Sequence, residues 1–532
     1  MHESAKPRLR DDLQERELED DSFEIHDPVT KRVWSFDELQ IDVLRLFDGG
    51  NSLREIADEL GTSDGLQAVF KLARNVDELG LFDSETTLSR QELASRQAAA
   101  MRGQAQMHRD KRVAASVRWA RDNLDFFQES LGPLADTVHT VADLSRLPTT
   151  TKADVRENFP DRLLLRGTDL QALVEAKQVM LSTTSGSTGG RLQYVFDLNR
   201  TTKQSISRHP AFSASEGARI TNSATFTTPI CNGQLCHRGG IPFEERMLTE
   251  TVLQLNSSER IMRLEKSHLE EIVSDLARHQ AESLAVDPVY AAALVLAFRK
   301  HDLKLPEISM LSTGWQYLTV RHREILTEGF NVPIYPTYGA TDIGGGAAIW
   351  CENQRYHVMD DDFVFEYLRD GEPVDFGEIG EIAITSLRHS YTRHIRYRVG
   401  DVARPIAACG CSFDDWPCFE FEGRVQDLLE ATDGSIVTSR DVDDLFEGIL
   451  WADFYQLIEK SAGQYQLLVM PTEGADKTIG EQQFLQRLHA ILGDDAQIRV
   501  QYVRELPIEQ SFKYPPTKRK NPQALRLWKV GA

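Results

Sequence analysis

The chain has 532 residues, 41% of them hydrophobic, and a formal net charge of −22. That length supports several cores rather than one, and the acidity argues against a nucleic-acid partner, because neutralising phosphates requires a basic face. The longest apolar run, near 291–298, is far short of the roughly 18 residues a bilayer span needs, so neither a membrane partner nor a membrane segment is expected and the protein is read as cytoplasmic.

Residues 1–21 are mixed-charge without the apolar core of a signal peptide, and are expected to form a disordered tail. From 22 to 86 the pattern is self-contained. Two strand-like runs, 23–26 and 32–36, flank an Asp27-Pro28 turn, and three helical patterns follow. Their expected inner faces are Leu39, Val43, Leu44 and Phe47, then Leu53, Ile56, Ala57 and Leu60, then Val69, Leu72, Val76 and Leu79. Ser52 and Glu55 have the spacing of a capping box. The layout is a two-stranded winged helix. A DNA-reading variant is disfavoured, because the third helix sets only Lys71 and Arg74 against Asp77 and Glu78.

Residues 87–115 read as a helical linker. The alternation of helical stretches (269–279, 289–300, 320–328) with short strands (332–335, 382–384) over 116–426 predicts a large layered α/β domain. Residues 427–532 predict a small, mobile α+β unit: strands at 454–459, 465–470 and 498–503 in an antiparallel sheet, with helices at 441–449 and 481–492. The fold class is thus α/β and α+β multidomain.

The stretch 181–191, Leu-Ser-Thr-Thr-Ser-Gly-Ser-Thr-Gly-Gly-Arg, sets hydroxyl donors among glycines that can turn several N–H groups toward one anion. It lacks the Gly-Lys-Ser/Thr ending of a Walker loop, and a flexible Ser/Gly turn is the alternative. Three further motifs follow in order: Tyr338-Gly339-Ala340-Thr341-Asp342, Arg396-Tyr397-Arg398-Val399-Gly400-Asp401 and Gly423-Arg424-Val425-Gln426-Asp427. With Leu147-Pro148-Thr149-Thr150-Thr151-Lys152-Ala153-Asp154, the set resembles the adenylate-forming superfamily, and within it the phenylacetate-CoA ligase branch, over roughly residues 115–525.

That resemblance implies activation of a carboxylate with ATP and Mg²⁺, coenzyme A being one candidate acceptor. Thr184, Ser185, Gly186, Ser187, Thr188 and Gly189 would hold the outer phosphates, with Arg191 where a lysine is common. Tyr338, Gly339, Thr341 and Asp342 would lie beside adenine and the α-phosphate, and Asp342, where glutamate is usual, would help to hold Mg²⁺. Asp401 would bind the ribose hydroxyls, Arg424 would reach the nucleotide, and Asp427 would be the hinge. The catalytic lysine is expected at Lys518, with Lys513 and Lys520 as alternatives. Arg396, Arg398 and Arg424 could instead be surface ion pairs. Trp315 and Gln316 replace a stretch that usually reads Gly-Gly/Ala-Glu, so the branch's substrate does not carry over.

The N-terminal domain is similar to PqqD-like peptide-recognition domains in Asp27-Pro28, Leu46-Phe47-Asp48-Gly49, Ile56-Ala57 and Leu79-Gly80-Leu81-Phe82. This implies a ribosomal leader peptide added as a strand to an open sheet edge; a packing or homodimerisation module is the alternative. Six cysteines do not make a disulfide scaffold in such a length. Cys351, His357, Cys409 and Cys411 suit a closed, structural Zn²⁺ site, with buried free thiols as the alternative, while Cys231, Cys236 and His237 are expected to line a pocket. The leading expectation is an AMP-forming ligase acting on a small carboxylic acid or a peptide carboxylate in ribosomal-peptide modification. A small-molecule acyl- or aryl-CoA ligase with a structural N-terminal module, and a non-catalytic peptide-binding scaffold, are the alternatives.

Overall fold

The computed structural model describes residues 3–18, 23–27, 33–61, 65–79, 81–83, 106–183, 192–197, 222–231, 234–235, 240–388, 390–411, 413, 416–475 and 478–520. They divide into two compact units, 1–108 and 109–532.

In the first unit the strands Gln14–Glu17, Phe23–His26 and Val33–Phe36 form an antiparallel sheet in that order. Three helices follow, Glu38–Arg45, Leu53–Leu60 and Gly65–Leu79. Asp37 with Gln40, and Ser52 with Glu55, close reciprocal capping boxes on the first two. The sheet has three strands rather than two, and the segment expected to be a tail supplies the third. Arg10 draws it in: its guanidinium makes two bonds to Asp27, at 2.9 and 3.0 Å, with both side chains almost wholly buried. Leu39, expected inside, is 70% exposed, while Ile41 is 1% exposed. The Asp37 cap sets the helix phase so that Ile41 and Leu44, three apart, face inward.

In the second unit residues 109–123 are helical, and Val113, Val117 and Ala120 are fully buried in its core, so the end of the expected linker is part of the large domain. Among the described residues thirteen strands form its main sheet. One half is parallel, with Val252–Gln254, Ser223–Phe226, Ser283–Val286, Met310–Thr313 and Ile334–Ala340 side by side. The connecting helices include Lys266–His279, Pro288–Lys300 and Val320–Phe330. The other half is antiparallel: Gly345–Trp350, Tyr356–Val358, Cys418–Arg424, Tyr397–Ile406, Gly380–Ser386 and Phe363–Arg369. Ile334–Ala340 belongs to both halves. Leu311 pairs with Ile334 in parallel register, Tyr338 with Ala348 in antiparallel register, and a bulge separates Tyr338 from Gly339. The carboxyl end of this strand is the candidate ligand crevice, since in open α/β sheets ligands bind outside the carboxyl ends of the parallel strands.

The C-terminal sheet runs Gln497–Tyr502, Gln464–Pro471, Ala452–Ser461, Thr517–Arg519. It is mixed, not antiparallel as expected: only the central pair is antiparallel. The helix Thr478–Leu492 is the reason on one side, because a helical crossover returns the chain in the same direction. No helix among the described residues is long and apolar enough to cross a membrane.

Candidate active site and metal cluster

Two tyrosine–aspartate pairs form the centre of the crevice. Tyr338 donates its hydroxyl to Asp401 Oδ2 at 2.8 Å, and Tyr397 donates to Asp342 Oδ2 at 2.6 Å. Each pair joins one motif to the other, since Tyr338 and Asp342 come from the switch strand and its turn, and Tyr397 and Asp401 from one antiparallel strand. Burial and the facing carboxylates push both phenols well above their ordinary range, so they stay protonated donors. Arg424 Nε lies 3.5 Å from Asp401 Oδ1.

Glycine is required here for two different reasons. A Cβ on Gly339 would lie 2.2 Å from the Gly345 carbonyl oxygen, so the strands could not approach across the bulge. Gly400 has φ +79°, a left-handed turn that sets Asp401 after Tyr397, and the Lys152 ammonium lies against it. Lys152 is held there because Thr150 pairs with Tyr397 as an isolated bridge, exchanging backbone bonds with Arg396 and Arg398. Those two arginines are structural. Arg396 binds Glu366 at 3.1 Å and Arg398 binds Glu381 at 2.9 Å, both substantially buried rather than on the surface.

Thr184, Ser185, Gly186, Ser187, Thr188 and Gly189 lie outside the described residues, as do Arg191, Cys236 and His237. Cys231 lies in a two-residue strand, Ile230–Cys231, paired with Gln234–Leu235. The strands on either side of the hydroxyl-rich stretch, Val179–Thr183 and Gln193–Asp197, pair antiparallel. Tyr194 stacks on His394, which stacks on Tyr397 at 4.6 Å, and this column sets the strand pair beside the Asp342 turn.

The C-terminal segment brings Lys513 rather than Lys518 to the crevice. Lys513 Nζ donates to the Trp315 carbonyl at 2.8 Å. Burial, then the neighbouring Arg424, push its ammonium down to about 8 against the pull of Asp287 and Asp401. Lys518 lies on the strand Thr517–Arg519 and is ion-paired with Glu509; Lys520 is exposed at the end of the described chain. Asp427 closes the short helical turn Val425–Asp427, and its carbonyl accepts the Thr517 hydroxyl at 2.8 Å. Burial raises its carboxyl to about 7 despite Arg424 and Lys518.

Cys351, His357, Cys409 and Cys411 converge, with one donor atom of each within 4.8 Å of all the others. Cys351 and Cys409 sulfurs are 3.5 Å apart, and Cys411 Sγ is 3.1 Å from His357 Nε2. A tetrahedral zinc with bonds of about 2.3 Å has sulfur–sulfur edges of about 3.8 Å, so the donors are spaced for it. His357 Nδ1 is 3.2 Å from the Trp416 carbonyl, which can only accept, so a proton on Nδ1 would donate there and turn the Nε2 lone pair toward Cys411.

No family model matches the chain. Among characterised proteins it is similar to the phenylacetate-coenzyme A ligase of Thermus thermophilus, 25% identical over 333 residues, which is 60% of this chain and 70% of that one. The Escherichia coli phenylacetate-coenzyme A ligase is 21% identical over 68% of this chain and 81% of its own. A crystal structure of 2-hydroxyisobutyryl-CoA ligase in the postadenylation state, in complex with R3-HIB-AMP, shares the fold: TM-score 0.57, 15% identity, 76% of this chain and 87% of the other.

These similarities support an ATP-dependent, AMP-forming ligase. Several residues around the candidate site lie outside the motif positions singled out for a role: Tyr397, which binds Asp342; His394, which stacks on Tyr397; Lys152; and Gln316, described below. The Tyr-Arg-x-Gly-Asp pattern contains Tyr397, whose part shows only when its partner does. His394 carries no local signal, and Gln316 is marked only by its departure from the usual Gly-Gly/Ala-Glu stretch.

Proposed function

We propose that this enzyme activates a small carboxylic acid as its acyl-adenylate and transfers the acyl group to coenzyme A. A carboxylate oxygen attacks the α-phosphorus of ATP and pyrophosphate leaves; the thiolate sulfur then attacks the acyl carbon and AMP leaves. The observation that carries this reading is the convergence of Asp342, Asp401, Arg424 and Lys513 at the sheet's switch point. Asp401 would accept the ribose hydroxyls, Arg424 would neutralise phosphate charge, and Asp342 would help to hold Mg²⁺, which screens the departing pyrophosphate. We assign the catalytic cation to Lys513 in place of Lys518, because the latter is neutralised by Glu509 on a strand. Thr184 to Gly189 would hold the outer phosphates, and Asp427 would be the pivot between half-reactions. Cys351, His357, Cys409 and Cys411 would hold a structural zinc, and the enzyme would act in the cytoplasm.

The test is ATP–pyrophosphate exchange with a panel of acids that starts from phenylacetate, followed by thioester formation with coenzyme A. Exchange without thioester formation would reject coenzyme A as acceptor, and no exchange with any acid would reject the reading.

A second reading, in which the acceptor or substrate is a ribosomal peptide, is supported by the first unit. Among the described residues its sheet ends on Val33–Phe36, a strand paired on one side, where Val33 is 47% exposed. A leader peptide could extend the sheet there. Deleting residues 1–86 separates the readings, since full turnover on a small acid by the truncated chain removes the peptide's role.

A further inference from the structure

The loop that carries Lys513 is held by Gln316, in the stretch that usually reads Gly-Gly/Ala-Glu. Gln316 Nε2 donates to Asp287 Oδ2 at 2.7 Å, and Gln316 Oε1 accepts the Tyr514 backbone N–H at 2.5 Å. Asp287 is a fixed anchor. It is fully buried, follows the parallel strand Ser283–Val286, and caps the helix Pro288–Lys300 by accepting the Val289 N–H at 3.0 Å. Gln316 is itself oriented by its own N–H, which donates to the Gly314 carbonyl at 2.8 Å.

Two more bonds cross at the same place. Tyr290 donates its hydroxyl to the Phe512 carbonyl at 3.2 Å, and Lys513 reaches the Trp315 carbonyl. Both loops are strained where they meet: Phe512 has φ +56° and Trp315 φ +66°, left-handed conformations that persist only where contacts impose them. The bridge also has a chemical requirement. Asp287 as a carboxylate only accepts and the Tyr514 N–H only donates, so the group between them must do both. A primary amide does; an ionised glutamate has no donor.

We propose that Gln316 is the positioning residue that docks the Lys513 loop on the nucleotide-binding domain for adenylation, a role that rests on Lys513 being the catalytic cation. Releasing this bridge together with the Tyr290–Phe512 and Lys513–Trp315 bonds frees the loop to withdraw before the acceptor enters. Replacing Gln316 by glutamate therefore sets two carboxylates against each other and removes the clamp. Pairing Gln316→Glu with Asp287→Asn reverses the bridge's polarity and restores it, because the amide introduced at position 287 can donate to the carboxylate introduced at position 316 while its oxygen keeps the helix cap.

The experiment follows hydrogen exchange of the Tyr514 amide in the full chain without ligands, together with ATP–pyrophosphate exchange using the acid that supports it in the parent, phenylacetate being tried first. In Gln316→Glu, the Tyr514 amide is expected to exchange roughly tenfold faster, as for the loss of one hydrogen bond. The kcat for pyrophosphate exchange should fall by a similar factor, with the KM for ATP little changed. The Asp287→Asn/Gln316→Glu pair should recover both. Gln316→Ala, at a half-buried position, should loosen the amide without altering the melting temperature, and serves if the pair does not fold. Unchanged Tyr514 exchange in Gln316→Glu and Gln316→Ala overturns the clamp. A folded pair variant that stays as loose as Gln316→Glu overturns the bridge. Parental adenylation in Lys513→Ala overturns the positioning role through the reading beneath it, and is told apart by a Tyr514 amide that still responds to Gln316.

Discussion

Replacing Cys409 and Cys411 together by serine tests whether the thiol–imidazole cluster is a metal staple. The four donors come from two separate segments: Cys351 and His357 on one hairpin, Cys409 and Cys411 on the loop before Cys418–Arg424. A metal bound only by the folded state stabilises it by mass action, about 4 kcal/mol when free zinc is a thousandfold above its dissociation constant. The parent chain should carry about one zinc, since four protein ligands satisfy a tetrahedral ion. The double variant should carry none, and its urea midpoint should drop by an amount that chelation of the parent reproduces. Nucleotide affinity should respond less. The strand Cys418–Arg424 has seven residues, so roughly 20 Å of paired backbone separates the cluster from Arg424. A metal-free double variant that unfolds with the parent would refute the staple, and one that keeps its stability but loses nucleotide binding would refute the division of roles.

Arg519 is nearly buried between Glu430, at 2.8 Å, and Glu459, at 3.0 Å, so Arg519→Met leaves two carboxylates uncompensated; urea denaturation should show a loss of about 3–5 kcal/mol. Gly339→Ala puts a methyl group against the Gly345 carbonyl and should reduce adenylation in exchange assays more than it lowers the melting temperature, because the bulge sets Tyr338 and Asp342. For Asp427, burial raises the folded-state carboxyl to about 7 from an ordinary value of 3.8, so the folded state binds the proton more tightly. Stability from this group is then greatest at low pH and is lost as pH rises from about 4 to 7. Asp427→Asn, which keeps the neutral form at every pH, should be more stable than the parent at pH 8, with the difference shrinking toward pH 5 in parallel denaturation curves.

The elements legible from sequence were those set by local chemistry. The capping box at Ser52 acts over a few residues and was readable as such. The edge strand Gln14–Glu17 was not. All four of its residues are exposed, so it has no apolar alternation to read, and it is placed by Arg10 reaching Asp27 across 17 positions. Leu39 and Ile41 show the same limit at smaller scale: a helical pattern gives a period, while the phase came from the Asp37 cap. The C-terminal sheet's mixed direction depended on where the strand Thr517–Arg519 would land, and that strand is only three residues long.

The candidate site divides along the same line. Asp342, Asp401 and Arg424 sit in motifs because each motif must also turn the backbone, and glycine marks the turns. Lys513 and Lys518 are five residues apart on one segment and carry equal charge, so spacing alone could not choose between them. Their positions in the fold differ, and on that ground we propose Lys513. Thr517 pairs with Leu457, which fixes Lys518 in a strand beside Glu509, while Phe512 to Tyr514 remain in a loop that Tyr290, Trp315 and Gln316 bind. A lysine that must approach the α-phosphate and later withdraw cannot be built into a sheet whose pairing would have to break each time. It can be carried on a short strained loop held by side-chain and backbone bonds, and Lys513 is the lysine so carried.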